Sequence, residues 1–276
     1  MTIELLSANH AAAMAATLAG RANRGARGFG GGVYPITPQT ECIEFLCKQE
    51  FEKGRIVRVE SEHSAMAVCM GFALGGARSF TASSSNGLAY MTENVFAAAM
   101  YRLPIVMMAV NRTLGPPWNI WVDHGDTLAL RDSGWLQFYC EDNQEVLDTI
   151  LLAYRLAEDR RVHLPVMVCQ DAFVLSHTMM QTDVPSQALV DQFLPPLDLP
   201  HRLRDTFLSA AHDCNVSPLD QKALANHALP SGDITEGYIR PGLEHLREVA
   251  EKIAAFLLSK ARQRSAVLAL VRDEAV

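Results

Sequence analysis

Short apolar runs alternate with longer helical patterns along the chain as far as residue 183. The runs are rich in β-branched and large apolar residues and predict strands at residues 55–60, 78–83, 104–110, 135–140 and 165–170. Helical patterns precede and separate them, at residues 7–20, 39–51, 62–77, 88–101 and 144–161. This alternation predicts an α/β fold, a parallel sheet with helices on both faces.

Two segments, residues 30–40 and 111–126, interrupt the alternation. Both contain Gly and Pro and lack periodicity, and irregular loops at strand ends commonly carry function. We assign residues 1–185 to a first domain. Much of the proline lies in residues 186–242, which predict an extended connection, whereas residues 243–276 predict a helix followed by a strand.

Composition narrows the class of protein. The net charge of −7 argues against a nucleic-acid partner, and no uncharged stretch is long enough to cross a membrane. The N-terminus has no basic region ahead of an apolar one, so we expect a cytoplasmic protein. The six cysteines are scattered without a Cys-x-x-Cys pair, so neither an iron–sulfur cluster nor zinc is expected on this chain.

The most informative position is the junction between a predicted strand and an almost uncharged helix. Ser61 is a natural N-cap, and Glu62 follows it in the first helical turn. Ligands bind at the carboxyl ends of the strands in an open parallel sheet, so Glu62 would face a crevice there. Glu60 competes with it on spacing alone. A carboxylate in this position can also simply complement the helix dipole.

Five segments together resemble a known family. They are Tyr-Pro-Ile-Thr-Pro-Gln-Thr at 34–40, Val-Glu-Ser-Glu-His-Ser-Ala at 59–65, Leu-Pro-Ile-Val at 103–106, Asn-Ile-Trp-Val-Asp-His at 119–124 and Leu-Pro-Val-Met-Val-Cys at 164–169. The chain is similar over residues 7–196 to the α subunits of the pyruvate:ferredoxin oxidoreductase family, 2-oxoacid:acceptor oxidoreductases that use thiamine diphosphate.

The resemblance implies a thiamine diphosphate-binding fold of the pyrimidine-binding type. In the family a separate domain binds the diphosphate through Mg²⁺, with a Gly-Asp-Gly motif followed later by Asn. Here Gly125-Asp126 and Gly232-Asp233 are followed by Thr127 and Ile234, so neither supplies that motif. The diphosphate half of the site is therefore expected on another chain. A transketolase C-terminal-like domain usually follows in the family, and we expect only its first strand, at 265–271, to be present.

The resemblance also assigns site residues. Glu62 matches the carboxylate that shares a proton with the pyrimidine ring nitrogen, so that the cofactor's amino group can act as a base. Arg112 matches the arginine that binds the substrate carboxylate, and Thr37 matches the residue that hydrogen-bonds the substrate or its adduct. Tyr34 and Pro35 are expected to contact the cofactor. Three other residues match family motifs but are given no chemical step: His63, Asp123 and His124.

The implied activity is oxidative decarboxylation of a 2-oxoacid, most simply pyruvate, to an acyl-coenzyme A and CO₂. Thiamine diphosphate would be shared with a diphosphate-binding β subunit, which holds Mg²⁺. Iron–sulfur clusters would lie on partner chains, among γ and δ-type subunits, and pass electrons to ferredoxin. Two alternatives stay open: a shortened, non-catalytic scaffold paralogue, and half of a non-redox thiamine diphosphate lyase.

Overall fold

A computed structural model of the protein describes residues 2–115, 117 and 119–198. The elements in chain order are β1 (Thr2–Leu6), α1 (Ala8–Ala22), β2 (Phe29–Val33), α2 (Thr40–Cys47), β3 (Gly54–Arg58), α3 (Glu62–Leu74), β4 (Arg78–Ser83), α4 (Ser85–Tyr90), α5 (Thr92–Met100), β5 (Ile105–Asn111), α6 (Gly125–Leu128), a 3₁₀ turn (Arg131–Ser133), β6 (Leu136–Tyr139), α7 (Asn143–Ala157), β7 (Val166–Asp171), β8 (Met180–Val184) and α8 (Gln187–Phe193). Six strands form one parallel sheet in the order β3-β2-β4-β5-β7-β6. The strands β1 and β8 pair separately and antiparallel.

Alternate side chains of the central strands enter two separate cores. In β5, Val106 and Met108 pack on the side of α1 and α7. Ile105 and Met107 pack on the opposite side, with α3 and α5. Because both faces are covered, the strand is a continuous apolar run rather than an alternating one. The predicted α/β architecture, with a parallel sheet between two helical layers, is confirmed.

The prediction that residues 30–40 are irregular is wrong for their first part. Residues 29–33 form β2, which lies inside the sheet between β3 and β4. A side chain at Gly30 would overlap the ring of Phe72, and one at Gly32 would overlap the backbone of Ala65. Both neighbours belong to α3. The glycines therefore let this helix approach the strand closely, and they also remove the side-chain pattern that would have identified the strand.

The structure differs from the predicted elements in three further places. The helix predicted at 88–101 is two helices, α4 and α5, separated at Met91. The first part of the predicted extended connection, 186–242, contains α8 instead, and the strands β1 and β8 were not predicted. From residue 199 onwards the connection, and the helix and strand predicted at 243–276, lie outside the described residues.

The strand order places a crevice beside β2. From β2 the chain passes outward to β3 and then returns across the sheet to β4, on the other side of β2. Loops leaving two adjacent strands in opposite directions leave a gap at the carboxyl edge, which is the usual ligand position in open α/β sheets. The loop after β2 and the first turns of α3 and α4 meet at this edge. Among the helices that the structure describes, none combines the length and apolarity needed to cross a bilayer.

A buried ion pair holds the opposite, amino-terminal end of β4. Arg78 is fully buried, and its guanidinium bonds both carboxylate oxygens of Glu158, which follows α7. The same guanidinium donates to the carbonyl oxygens of Ala19 in α1, at 2.9 Å, and of Pro195, at 2.8 Å. Burial raises the pKa of Glu158, and its bonds to Arg78 oppose that rise. Arg78 therefore connects three segments to one strand.

Replacing Arg78 with Met should lower the free energy of unfolding by about 3–5 kcal/mol, because Glu158 would be left buried without its partner. Arg160→Met is the matched control, since the Arg160–Asp198 pair, at 3.0 Å, is exposed on both sides. Chemical denaturation of the variants measures the effect. Equal midpoints for Arg78→Met and Arg160→Met would show that the buried pair does not hold β4.

Candidate active site at the carboxyl edge of the sheet

Glu62 lies at the start of α3, as the sequence predicts. Ser61 has an extended backbone, with φ of −162°, and its hydroxyl oxygen accepts a hydrogen bond from the amide of Ser64 at 3.2 Å. This is an N-cap, which satisfies one of the free amides at the helix terminus. The cap makes Glu62 the first residue of the helix and turns it into the fold, where it is only 8% exposed.

The Glu62 side chain lies against the first turn of α4. A Cβ atom at Gly87 would be 2.8 Å from Glu62 Oε1 and would overlap Ser83 Oγ, so the absence of a side chain at Gly87 permits this contact. No residue in the described part of the chain donates a hydrogen bond to the Glu62 carboxylate. The hydroxyl oxygens of Ser83 and Ser84 are buried without a partner among the described residues. Buried polar atoms are normally hydrogen-bonded, so two such hydroxyls at the end of β4 are consistent with a ligand site.

Glu60, the competing carboxylate, has a different environment. It is exposed, and its Oε1 accepts a hydrogen bond from the Ser64 hydroxyl at 2.8 Å. This bond lowers the pKa of Glu60. Glu60 is thus a satisfied surface carboxylate, whereas Glu62 is the one that is buried against α4.

Arg112 and Thr37, which lie far apart in the sequence, meet at the same edge. Arg112 Nη1 donates to the carbonyl oxygen of Thr37 at 2.6 Å. Arg112 follows β5 directly, and partial burial lowers its pKa. Its Nε is buried without an acceptor among the described residues, whereas the side chain of Thr37 belongs to an exposed residue. The guanidinium therefore keeps donor capacity that a bound anion could use.

Tyr34 and Pro35 lie on the loop that also carries Thr37, immediately after β2. The side-chain amide of Gln39 donates through Nε2 to the carbonyl oxygen of Tyr34 at 2.8 Å. From α1, Asn9 donates to the carbonyl oxygen of Pro38, also at 2.8 Å. The loop is thus tied at two points. Tyr34 is half-buried and Pro35 is exposed, and both lie at the predicted edge of the sheet.

Asp126 was not predicted as a candidate site residue, because in the sequence it stands out only as part of an incomplete Gly-Asp-Gly motif. It is 1% exposed and accepts four hydrogen bonds. The donors are the backbone amides of Ser85, Arg112 and Thr127 and the side-chain amide of Asn111. Burial raises the pKa of Asp126, and these bonds oppose the rise. The signal that the sequence offered was an Asp in the first turn of a short helix, directly after a long loop.

The three residues that match family motifs without an assigned step all take part in polar contacts. His124 Nε2 and Asp171 Oδ1 are 2.8 Å apart, and Asp123 Oδ1 accepts a bond from the Gly125 amide at 2.6 Å. His63 Nε2 lies 3.6 Å from a carboxylate oxygen of Glu93.

The loop before α6 exposes apolar side chains beside the site. They are Leu114, Ile120, Trp121 and Val122. No group of three or more His, Cys, Asp or Glu residues in the described ranges is arranged to hold a metal ion.

Comparison with known proteins identifies the family. A family model described as "Pyruvate flavodoxin/ferredoxin oxidoreductase, thiamine diP-bdg" matches residues 31–226. Pyruvate synthase subunit PorA of Methanothermobacter thermautotrophicus is 52% identical over 198 residues, which are 71% of this chain and 50% of that protein. Ketoisovalerate oxidoreductase subunit VorA of Pyrococcus furiosus is 53% identical over 167 residues, which are 59% of this chain and 42% of that protein.

The fold is also that of a solved structure. A 2-oxoglutarate:ferredoxin oxidoreductase from Magnetococcus marinus, with 2-oxoglutarate, coenzyme A and succinyl-CoA bound, superposes with a TM-score of 0.59 at 21% identity, over 94% of this chain and 45% of that one. The chain spans about half the length of the curated relatives named above. The extent of the family match, together with this sequence identity, places the chain in the pyruvate flavodoxin/ferredoxin oxidoreductase family, in the part described as thiamine diphosphate-binding.

Proposed function

We propose that this chain is a subunit of a thiamine diphosphate-dependent 2-oxoacid:ferredoxin or acceptor oxidoreductase. In this proposal residues 1–185 bind the pyrimidine end of the cofactor and the carboxylate of the substrate. The observation that carries the proposal is the buried carboxylate of Glu62, which has no hydrogen-bond donor among the described residues. It lies at the carboxyl edge of a parallel sheet, where it and the Ser83 hydroxyl, which has no partner among the described residues, both border Gly87.

The chemistry of this carboxylate fits the pyrimidine ring. The residue is only 8% exposed, and no described residue donates to its carboxylate, which leaves it free to accept a hydrogen bond from a ligand donor. A protonated ring nitrogen would supply it. In this role Glu62 holds the proton at one carboxylate oxygen or shares it with that nitrogen, which is general acid–base catalysis. The open space at Gly87 is needed to keep the carboxylate in place.

Thiamine diphosphate, when bound, supplies a thiazolium carbanion as the nucleophile and then takes up the electron pair that decarboxylation releases. Arg112 would bind the carboxylate of the 2-oxoacid and hold it in a fixed orientation. Thr37 contacts Arg112 through its carbonyl oxygen, which supports a role in which the Thr37 hydroxyl would hydrogen-bond the same substrate. Tyr34 and Pro35 would line the cofactor side of this loop.

The remaining parts of the site belong to other chains in this proposal. A β subunit would hold Mg²⁺ and the diphosphate, and γ and δ-type subunits would hold the iron–sulfur clusters that pass electrons to ferredoxin. Coenzyme A would accept the acyl group. Pyruvate is the favoured substrate because a relative with 52% identity is named a pyruvate synthase subunit. A branched 2-oxoacid is the next choice, since another relative is named a ketoisovalerate oxidoreductase subunit.

The alternatives of a non-catalytic scaffold and of a non-redox lyase have less support. A scaffold has no use for a carboxylate that is turned into the fold and receives no hydrogen bond from the described residues. A lyase would need no electron acceptor. Assays of the assembled complex for 2-oxoacid oxidation, with and without ferredoxin, separate the three functions.

Replacing Glu62 with Gln keeps the shape of the side chain but removes the oxygen that can share a proton. Turnover of the assembled complex should fall by roughly 10²- to 10⁴-fold, with assembly intact. Steady-state assays of 2-oxoacid-dependent acceptor reduction measure the effect. Glu60→Gln is the control and should stay close to wild type, because Glu60 is exposed and already hydrogen-bonded. Near-normal turnover of Glu62→Gln would eliminate the assigned role.

Replacing Arg112 with Lys keeps the positive charge but loses the planar pair of donors. We expect the KM for the 2-oxoacid to rise roughly tenfold, while binding of thiamine diphosphate is retained. Steady-state kinetics with pyruvate, together with a thiamine diphosphate titration, distinguish the two effects. Arg131→Lys, at an exposed site in the 3₁₀ turn, is the matched control. If KM and turnover are unchanged in Arg112→Lys, the substrate carboxylate binds elsewhere.

A further inference from the structure

One buried carboxylate, Asp126, joins three segments: one that follows β4, one at the end of β5 and one in the connection from β5 to β6. Its Oδ2 accepts from the amide of Ser85 at 2.9 Å and from the amide of Arg112 at 3.1 Å. Its Oδ1 accepts from Asn111 Nδ2 and from the amide of Thr127, each at 2.8 Å. The loop after β4, the end of β5 and the start of α6 are thus hydrogen-bonded to a single side chain.

The first of these segments needs such a contact to keep its conformation. Ser85 has a φ of 47°, in the left-handed region that side chains other than Gly rarely adopt. Its amide donates to Asp126, and its hydroxyl donates to the carbonyl oxygen of Thr113. Ser85 is the first residue of α4, and Gly87, two residues later, lies against the Glu62 carboxylate. The bond to Asp126 therefore holds the helix turn that borders Glu62.

The second segment carries the substrate-binding group of the proposed function. Arg112 is held by Asp126 at its backbone amide and by Thr37 at its guanidinium. Both carboxylate oxygens of Asp126 already accept two hydrogen bonds each, and the side chain is buried. Asp126 therefore contacts the backbone of the site and neither Glu62 nor the side chain of Arg112 directly.

We propose that Asp126 is a positioning residue that sets the distance between Glu62 and Arg112. Asp126 Oδ2 accepts hydrogen bonds from the amide of Ser85, which begins α4, and from the amide of Arg112. The same atom therefore fixes both the helix turn that borders Glu62 and the backbone of Arg112. The inference rests on the proposed function, because it assigns a purpose to the spacing of these two groups. In this proposal Asp126 itself touches neither substrate nor cofactor.

A carboxylate is required by the number of donors. Four N–H groups point at this side chain, and a carboxylate provides an acceptor oxygen for each pair. Asparagine has one oxygen, so its NH₂ group would face two further donors. Asp126→Asn thus preserves the size of the side chain and removes half of its accepting capacity.

The test is Asp126→Asn in the assembled complex, compared with Glu158→Gln. Glu158 is a buried carboxylate at the amino-terminal end of the sheet, paired with Arg78, so its variant controls for loss of stability alone. Because a misplacement near 1 Å can cost on the order of 10²-fold, we expect kcat/KM for pyruvate to fall about 10²-fold in Asp126→Asn, with KM rising about tenfold. Glu158→Gln lowers the melting temperature and the amount of active complex but leaves KM unchanged.

Hydrogen–deuterium exchange provides a readout that does not depend on activity. In Asp126→Asn, the segments 84–90 and 111–115 should exchange faster, because a single acceptor oxygen cannot serve all four donors and the bonds to the amides of Ser85 and Arg112 weaken. In Glu158→Gln these two segments should keep the wild-type rates. Unchanged KM and unchanged exchange in Asp126→Asn would overturn the proposal.

Two further outcomes are separable. If the wild-type complex oxidises no 2-oxoacid, the proposed function fails, and the exchange data still decide whether Asp126 holds the two segments. If Asp126→Asn does not assemble, Asn111→Ala replaces it, since this variant removes the side-chain donor that orients the Asp126 carboxylate and so weakens its hold on the amides of Ser85 and Arg112. A KM increase of about threefold is then expected, and an unchanged KM would contradict the positioning role.

Discussion

The close approach of α3 to β2 determines the position of the site. Side chains at Gly30 and Gly32 would collide with this helix, so their absence lets α3 lie directly on the strand. The first residue of α3 is Glu62, which is consequently buried at the carboxyl edge instead of projecting into solvent. A second glycine-dependent contact, at Gly87, brings α4 against the same carboxylate. Larger residues at these positions would separate the elements that form the crevice.

The two ends of β4 serve different purposes. At its amino-terminal end Arg78 bonds Glu158 and two carbonyl oxygens. At its carboxyl end the hydroxyls of Ser83 and Ser84 are buried without partners among the described residues, as is that of Ser79 beside Arg78. The buried ion pair therefore distinguishes the two ends. It gives the strand a rigid support at the end opposite the candidate site.

How much the sequence could predict depended on whether side chains carried the signal. The buried strands β4, β5 and β7 were found because their apolar runs are long, and Glu62 was found because an N-cap precedes it. The strand β2 was missed because three of its residues are glycine, which is depleted in strands.

On residues alone, Glu60 and Glu62 stayed alternatives, and only burial separates them. Arg112 and Thr37 came from family resemblance, since contacts between distant loops have no local pattern. Asp126 was missed for the same reason, because its role lies in bonds to three segments.

Calorimetric titration of thiamine diphosphate and Mg²⁺ into this chain, alone and with the proposed diphosphate-binding partner, tests most directly whether Glu62 belongs to half of a shared site. The sequence contains no Gly-Asp-Gly motif. We therefore expect no tight binding to the isolated chain and micromolar or tighter binding once the partner is present, weakened by Glu62→Gln. Micromolar or tighter, Mg²⁺-dependent binding to the isolated chain would contradict this division of the site.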